Sequence, residues 1–259
     1  MGVADLADPL RRVVARGEGK PRVHQEAPPD PPIVTPVTPE YNRRVQTWPR
    51  TEEEALAVQE SLRSRVIESP APASIATVAG LDVAYDGDRL GAAVVVLDYR
   101  DLSVRDTAVV IGRPAFPYVP GLFAFREVPA LLDALEKLTV RPDVLICDGH
   151  GLAHPRRFGL AAHLGVLTDL PSFGVGKTRL VGDFAPVGQV RGDRSPLIDA
   201  GETVGAVLRT RDRVKPVFVS AGHRIDLAGA CDMTLRLTPS YRLPETTRAA
   251  DRACRDLLR

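Results

Sequence analysis

The sequence has almost no net charge. Its 34 Lys and Arg against 33 Asp and Glu leave +1 over 259 residues, so no global field draws it to nucleic acid, membrane or acidic ligands, and any anion site has to be local. Cysteine is scarce: Cys147, Cys231 and Cys254 are an odd number without metal-ligand spacing, which argues against a disulfide scaffold or a zinc site and implies reduced thiols. Aromatic residues are only 5% of the chain, so an aromatic outside the core stands out. No apolar run approaches the length that spans a bilayer, and residues 1–20 carry scattered Asp, Glu and Arg where a signal peptide has an apolar stretch. The expected location is cytoplasmic, with no membrane partner. "GVGKT" at 174–178 also lacks something: where a phosphate-cradling loop needs a glycine ahead of its Gly-Lys-Thr stands Pro171, with no N–H to donate and a fixed φ.

What is present is a globular chain, 44% hydrophobic. Residues 27–39, "APPDPPIVTPVTP", cannot form helix or interior strand, so 1–45 reads as a proline-rich disordered extension and 46–259 as one domain. "TEEEALAVQESLRSRVIE" opens with Thr51 three residues ahead of Glu54, and Ala55, Val58, Leu62 and Val66 recur at helical spacing. Runs at 75–85, 90–99 and 103–112, separated by short polar turns, predict an antiparallel meander. Beyond residue 120, helix "FREVPALLDALEKL", strand "DVLICD", helix "PRRFGLAAHLG" and strand "SFGV" alternate, which implies parallel strands with crossovers. Strands "TVGAVLRT" and "PVFVSAG" and two terminal helices follow. The fold class is α/β with a mixed sheet.

Three carboxylates stand out. Asp82 interrupts the apolar "AGLDVAY", where burial costs several kcal/mol unless the charge is paired, hydrogen-bonded or cation-bound; a strand end that reaches solvent would also explain it. Asp148 ends "VLIC" at the carboxyl end of a central strand, the usual place for a site in an open α/β sheet, although Asp-Gly is also ordinary turn chemistry. Glu127 falls in a first helical turn, where the dipole favours an acid anyway. Brought together without thiolate or histidine, the three would suit a hard cation such as magnesium and phosphodiester chemistry. His150 and His154 are four apart, but Gly and Pro between and after them exclude the one-face zinc arrangement. His223 follows a strand and precedes a helix, a position open to function or to an ordinary surface loop. Pro117 and Pro120 would stiffen the loop around Tyr118 and hold the ring outward for stacking on a base, or simply form an apolar turn. Arg156 and Arg157 would sit at a helix N-terminus, placed to meet phosphate.

In order, "AGLDVAY", "PYVPGLFAFRE", "DGHGLAHPRRFGLAAHLG", "GVGKTRL" and "SAGHRID" resemble endonuclease V, a deoxyinosine-directed nuclease family of DNA repair, over the chain from about Trp48 onward. The resemblance implies a ribonuclease-H-like fold and a magnesium site, manganese able to substitute, held by Asp82, Glu127 and Asp148. It implies that His223 is an auxiliary catalytic residue beside the metal, that Lys177 lies near the scissile phosphate, and that Tyr118, carried by Pro117, fills the space left by a flipped lesion. Gly121, Leu122, Gly149, Gly151, Gly159 and Leu180 would then shape the hypoxanthine pocket, where small residues let a flipped base approach the main chain. The implied substrate is DNA containing deaminated bases, cut one nucleotide beyond the lesion on its 3′ side to leave 3′-hydroxyl and 5′-phosphate ends. Some relatives act on inosine in RNA, which leaves an endoribonuclease as the alternative, and the family is usually monomeric. Gly176 and Thr178 depart from the family pattern, in which Ala commonly precedes the lysine and a small or apolar residue follows it.

Overall fold

The structure, a computed structural model, describes residues 48–259; the extension expected over 1–45 lies outside them. Helix α1 (Glu52–Arg63) starts from a complete capping box: the Thr51 hydroxyl accepts the Glu54 N–H at 3.2 Å and the Glu54 carboxylate accepts the Thr51 N–H at 3.4 Å. It stops before Val66, where the apolar period had carried the expected helix. The chain turns at Arg63, with the Val66 N–H on its carbonyl at 3.1 Å, yet Leu62 and Val66 still pack together on Phe158 and Ala162. The period reported the buried side chains correctly, not the backbone.

The meander is β1 (Thr77–Asp86), β2 (Arg89–Asp98) and β3 (Val104–Gly112), antiparallel throughout. After α2 (Ala124–Glu136), β4 (Val144–Cys147) pairs parallel to β1; after α3 (Leu160–Thr168), β5 (Ser172–Gly176) pairs parallel to β4. Next come β6 (Arg194–Asp199), β7 (Glu202–Leu208), β8 (Val217–His223), α4 (Leu227–Arg236) and α5 (Glu245–Leu258). One eight-stranded mixed sheet results, in the order β3-β2-β1-β4-β5-β8-β7-β6, as the α/β, ribonuclease-H-like expectation required. Strand β6 was not anticipated because it contains Pro196. It is an edge strand, where the missing N–H costs no ladder bond.

Alternation along β1 sends Ala79 and Leu81 to a core with Val128, Leu131 and Leu132 of α2, and Val78 to the opposite core with Met233 of α4 and Ala250 of α5. Each buried Val, Leu or Met among them contributes about 1.5–3 kcal/mol, and each Ala less, so both helical layers are fixed against the sheet. Asp82 follows Val78 and Gly80 on the α5 side. Gly80 permits that contact: a Cβ there would lie 2.1 Å from the Thr246 carbonyl carbon. Among the described residues no helix is long and apolar enough to cross a membrane.

Candidate active site

In the β1–β4 pairing Leu81 lies opposite Cys147, and the Asp148 N–H donates to the Leu81 carbonyl at 3.3 Å. One step further along two parallel neighbours places Asp82 beside Asp148 on the same face of the sheet. Glu127 approaches from α2, 5% exposed, and its Oε1 accepts the Tyr85 hydroxyl at 3.2 Å. Burial, then the charge of Asp148, pushes the Asp82 carboxyl up to about 7; burial, then the charge of Asp82, pushes Glu127 up to about 8. Each carboxylate thus resists the ionisation of its neighbours, which is the behaviour of one electrostatic cluster.

Lys177 stands one residue past the end of β5, and its ammonium is paired with Asp148 Oδ2. Burial alone would lower its pKa, but the hydrogen bond and charge of Asp148 outweigh that and raise it, so the lysine carries its charge at neutral pH. Among the described residues no three His, Cys, Asp or Glu side chains stand ready-made around a metal position; Asp148 is turned to Lys177 instead. The donor set nonetheless suits a hard divalent cation, because it is all oxygen and two of its members are held back from ionising by burial and by neighbouring negative charge, both of which a cation would offset.

A fourth carboxylate belongs with these. Asp251 of α5 has a charge that reaches both Asp82 and Lys177, and the same helix turn sets Cys254 Sγ 3.0 Å from the Asp82 carbonyl. From the sequence it looks like half of an ordinary exposed i,i+4 pair, and it does accept from Arg255 at 2.7 Å. The signal that marks it is the small face of its own helix, Ala250 and Cys254, which lets α5 settle on β1.

His223 is not in this cluster. Strand β8 runs antiparallel to β5, with Ser172 opposite His223 and Gly176 opposite Phe218, so the histidine sits at the end of the sheet away from Lys177, roughly 16 Å along the strand. It is 2% exposed; Nδ1 accepts the Ile67 N–H at 3.2 Å and Nε2 faces Asp169 at 3.3 Å. The expected auxiliary role beside the metal is corrected to a structural one. His150 is the histidine at the site's edge, its Nε2–H donating to the Thr178 carbonyl at 3.1 Å. Its ring fills the space beside Gly176, where a Cβ would fall 2.5 Å from Cε1; that accounts for glycine ahead of the lysine here.

The loop after β3 leaves Tyr118 69% exposed, its ring edge-on to Phe123, with Pro117 exposed beside it. Gly121 turns with φ +79, and its carbonyl is held by Gln59 at 3.1 Å and Arg156 at 2.5 Å. Leu122 is fully buried with its N–H on Val119, Gly151 donates to Ser220 Oγ at 2.8 Å, and Gly159 donates to the Gly151 carbonyl at 3.0 Å. Their N–H groups are therefore engaged inside the protein, and the missing Cβ of Gly151 and of Gly159 makes room for the Ala221 and His150 carbonyls. Gly149 lies next to Asp148 with φ +156, and Leu180 is exposed beyond Lys177.

Arg156 and Arg157 do not head a helix. Helix α3 begins only at Leu160, because Arg157 takes φ +55 and the chain loops back so that the Ala161 N–H reaches the His150 carbonyl at 3.1 Å. Arg156 is committed to Gln59 and Gly121, and Arg157 to Asp199 and Glu202 at 2.7 and 2.9 Å. Both are staples rather than free phosphate contacts.

The family model for endonuclease V matches residues 60–252. The chain belongs to the endonuclease V family. Endonuclease V of Streptomyces coelicolor is 56% identical over 216 residues, 82% of this chain and 93% of that protein. The crystal structure of the Streptomyces avermitilis endonuclease V superposes with a TM-score of 0.79 at 54% identity, covering 82% of this chain and 94% of that one. The catalytic domain of human endonuclease V gives 0.76 at 36% identity, covering 81% and 97%. Endonuclease V of Ciona intestinalis, solved with a 24mer DNA containing an inosine followed by a ribo-adenosine, gives 0.71 at 28% identity, covering 80% and 97%.

Proposed function

We propose that this endonuclease V is a magnesium-dependent DNA repair nuclease that recognises deoxyinosine and hydrolyses the phosphodiester one nucleotide beyond it on the 3′ side, leaving 3′-hydroxyl and 5′-phosphate ends. The observation that carries this reading is the β1–β4 register, which sets Asp82 beside Asp148 with Glu127 and Lys177 in electrostatic contact. The inosine-containing DNA bound by the Ciona relative supports the substrate class.

Asp82, Glu127 and Asp148 would hold the cation, with manganese able to replace magnesium, and the ion would supply positive charge to an attacking water and the leaving oxygen. Lys177, charged and partly exposed, places a second positive group where phosphate oxygens gain negative charge. Glu127, raised to about 8 by burial and by the charge of Asp82, would be held ionised beside a bound cation. Tyr118 presents an exposed ring to the gap left by the extruded base, and Gly149 lets that base lie against the backbone.

The test incubates the protein with inosine-containing and matched adenosine-containing strands, with magnesium and in chelator. Equal cutting of both strands, or cutting that survives the chelator, sinks the lesion-directed metal reading. Matched deoxy and ribo versions of the inosine strand decide DNA against RNA, since the 2′-hydroxyl is the only chemical difference between them.

A further inference from the structure

The hairpin joining β7 to β8, residues 209–216, lies at the same end of the sheet as Lys177: Leu208 pairs with Val217, and Phe218 with Gly176. Three arginines fasten the region from behind, and all three direct hydrogen bonds at neutral carbonyls. Arg209 bonds Gly188 at 2.8 Å, Arg191 bonds Thr238 at 2.7 Å, and Arg242 bonds Lys215, Pro216 and Lys177 at 2.8, 2.9 and 2.7 Å. A carbonyl satisfies an N–H donor without cancelling the charge behind it. The two carboxylates nearby, Asp193 and Asp212, face backbone N–H groups of Val190 and Arg191 at 2.8 and 2.7 Å. The cations of the hairpin itself, Arg211, Arg213 and Lys215, are exposed, and none takes part in an ion pair among the described residues, whose basic members elsewhere are often paired. Six cations thus stand with Asp193 and Asp212, Arg242 also feeling the charge of Asp148, in a chain whose overall balance is +1. An open groove of about 690 Å³ runs beside them, lined by Arg191, Thr210, Arg211, Asp212 and Ser240.

The sheet order locates this patch. Tyr118 follows β3 and the carboxylates sit on β1 and β4; Lys177 follows β5, and the hairpin caps β8 and β7, all at one end of the sheet. At about 4.8 Å per strand step, the hairpin lies roughly 5–10 Å beyond Lys177, on the side away from Tyr118. That is about two to three nucleotides at a rise of about 3.4 Å along one strand.

We propose that Arg211, Arg213 and Lys215 form a phosphate-binding shelf for the substrate strand two to three nucleotides past the scissile bond, on its 3′ side. The inference rests on the proposed function, which supplies the polarity: a lesion beside Tyr118 and a cut 3′ to it. The shelf accounts for a local excess of positive charge that the balanced composition conceals, and it makes the 3′ flank rather than the lesion the main source of sequence-independent affinity.

The experiment measures binding in chelator, so that no strand is cut. It uses two fluorescent inosine-containing DNA strands, one extending ten nucleotides past the cleavage position and one ending a single nucleotide past it. Replacing Arg211, Arg213 and Lys215 together by Gln should weaken binding of the long strand about tenfold and make the slope of log affinity against log salt shallower by about two. The short strand should bind the variant and the parent equally. A second triple variant, Arg63→Gln, Arg65→Gln and Arg100→Gln, removes the same charge from exposed sites elsewhere and should bind both strands as the parent does. Equal weakening on both strands, an unchanged salt slope, or the same loss in the second variant overturns the shelf. Failure of the parent to distinguish inosine from adenosine strands in the cleavage assay strikes the proposed function instead and leaves the flank comparison readable.

Discussion

Lys177 and Asp148 form an ion pair across the ends of β5 and β4, joining a lysine side chain 44% exposed to a carboxylate only 13% exposed. The pair neutralises one member of an acidic cluster from outside, in the position where a phosphate would need positive charge. Lys177→Met should lower single-turnover cleavage by about 10²–10³-fold, as loss of one electrostatic stabiliser does. The melting temperature in chelator should fall as well, because the largely buried Asp148 carboxylate is left beside Asp82 without its counter-charge. Near-parental cleavage by the variant would remove the lysine from the chemistry.

The carboxylates predict a pH slope with a defined sign. An unfolded Asp or Glu titrates near 4, whereas folded Asp82 and Glu127 hold their protons to about 7 and 8. The folded state therefore binds more protons in this window, and stability falls as pH rises through it. Between pH 7 and 8.5, in chelator, the protein should lose on the order of 1–2 kcal/mol. Glu127→Gln should flatten that slope, and magnesium at pH 8.5 should raise the melting temperature by binding only the folded form. A slope identical in Glu127→Gln and parent would show that the cluster does not titrate this way.

His163 works in the opposite direction at lower pH. It is fully buried among Trp48, Phe125 and Phe158, neither ring nitrogen has a partner among the described residues, and burial lowers its pKa to about 3. An unfolded histidine protonates near 6.5, so stability present above that value is lost as pH falls from 6.5 toward 3. His163→Phe should therefore melt higher than the parent by a margin that grows between pH 7 and pH 5. Parallel melting curves across that range would refute the assignment.

Tyr118 is 69% exposed, with its ring on the edge of Phe123, so little buried surface is lost with it. Tyr118→Ala should keep thermal stability and phosphate chemistry while reducing the preference for inosine over adenosine strands. Gln59→Leu should also reduce that preference, by leaving the Gly121 carbonyl to Arg156 alone, and should lower stability because the buried Gln59 also bonds the Phe158 carbonyl and Arg156. An unchanged preference ratio in both variants would count against the loop as a lesion-sensing element.

Gly151 offers a packing test. A Cβ there would lie 2.0 Å from the Ala221 carbonyl oxygen, so Gly151→Ala must push β8 from the loop that follows Asp148. A loss of at least about 2 kcal/mol is expected for such overpacking against backbone; a melt equal to that of the parent would mean the loop can shift freely.

Local features were legible in the sequence and relations between elements were not. Strands β1, β2 and β3 were read to within about two residues because alternation and polar turns are local signals. The carboxylates Asp82 and Asp148 could be singled out by the cost of placing a charge in an apolar run. Their adjacency could not, since it depends on β4 choosing β1 as a parallel neighbour. His223 was misplaced for the same reason: "SAGHRID" ends a strand as expected, but that strand runs antiparallel to β5 and carries its end away from the site. Asp251 was missed because an acid with an arginine four residues later looks like an exposed helical pair, and only the descent of α5 onto Gly80 gives it another role.

The pairing of β1 with β4 has a consequence for how the molecule comes into being. Neither strand alone carries a competent site, and between them the chain must complete a meander and a helical crossover before Leu81 meets Cys147. Contacts of that sequence separation close late, after local hairpins and helices have formed. Recovery of activity on refolding should thus lag recovery of helical signal, and an intermediate that has its meander but not its central parallel pair would be compact yet unable to cut any strand it met.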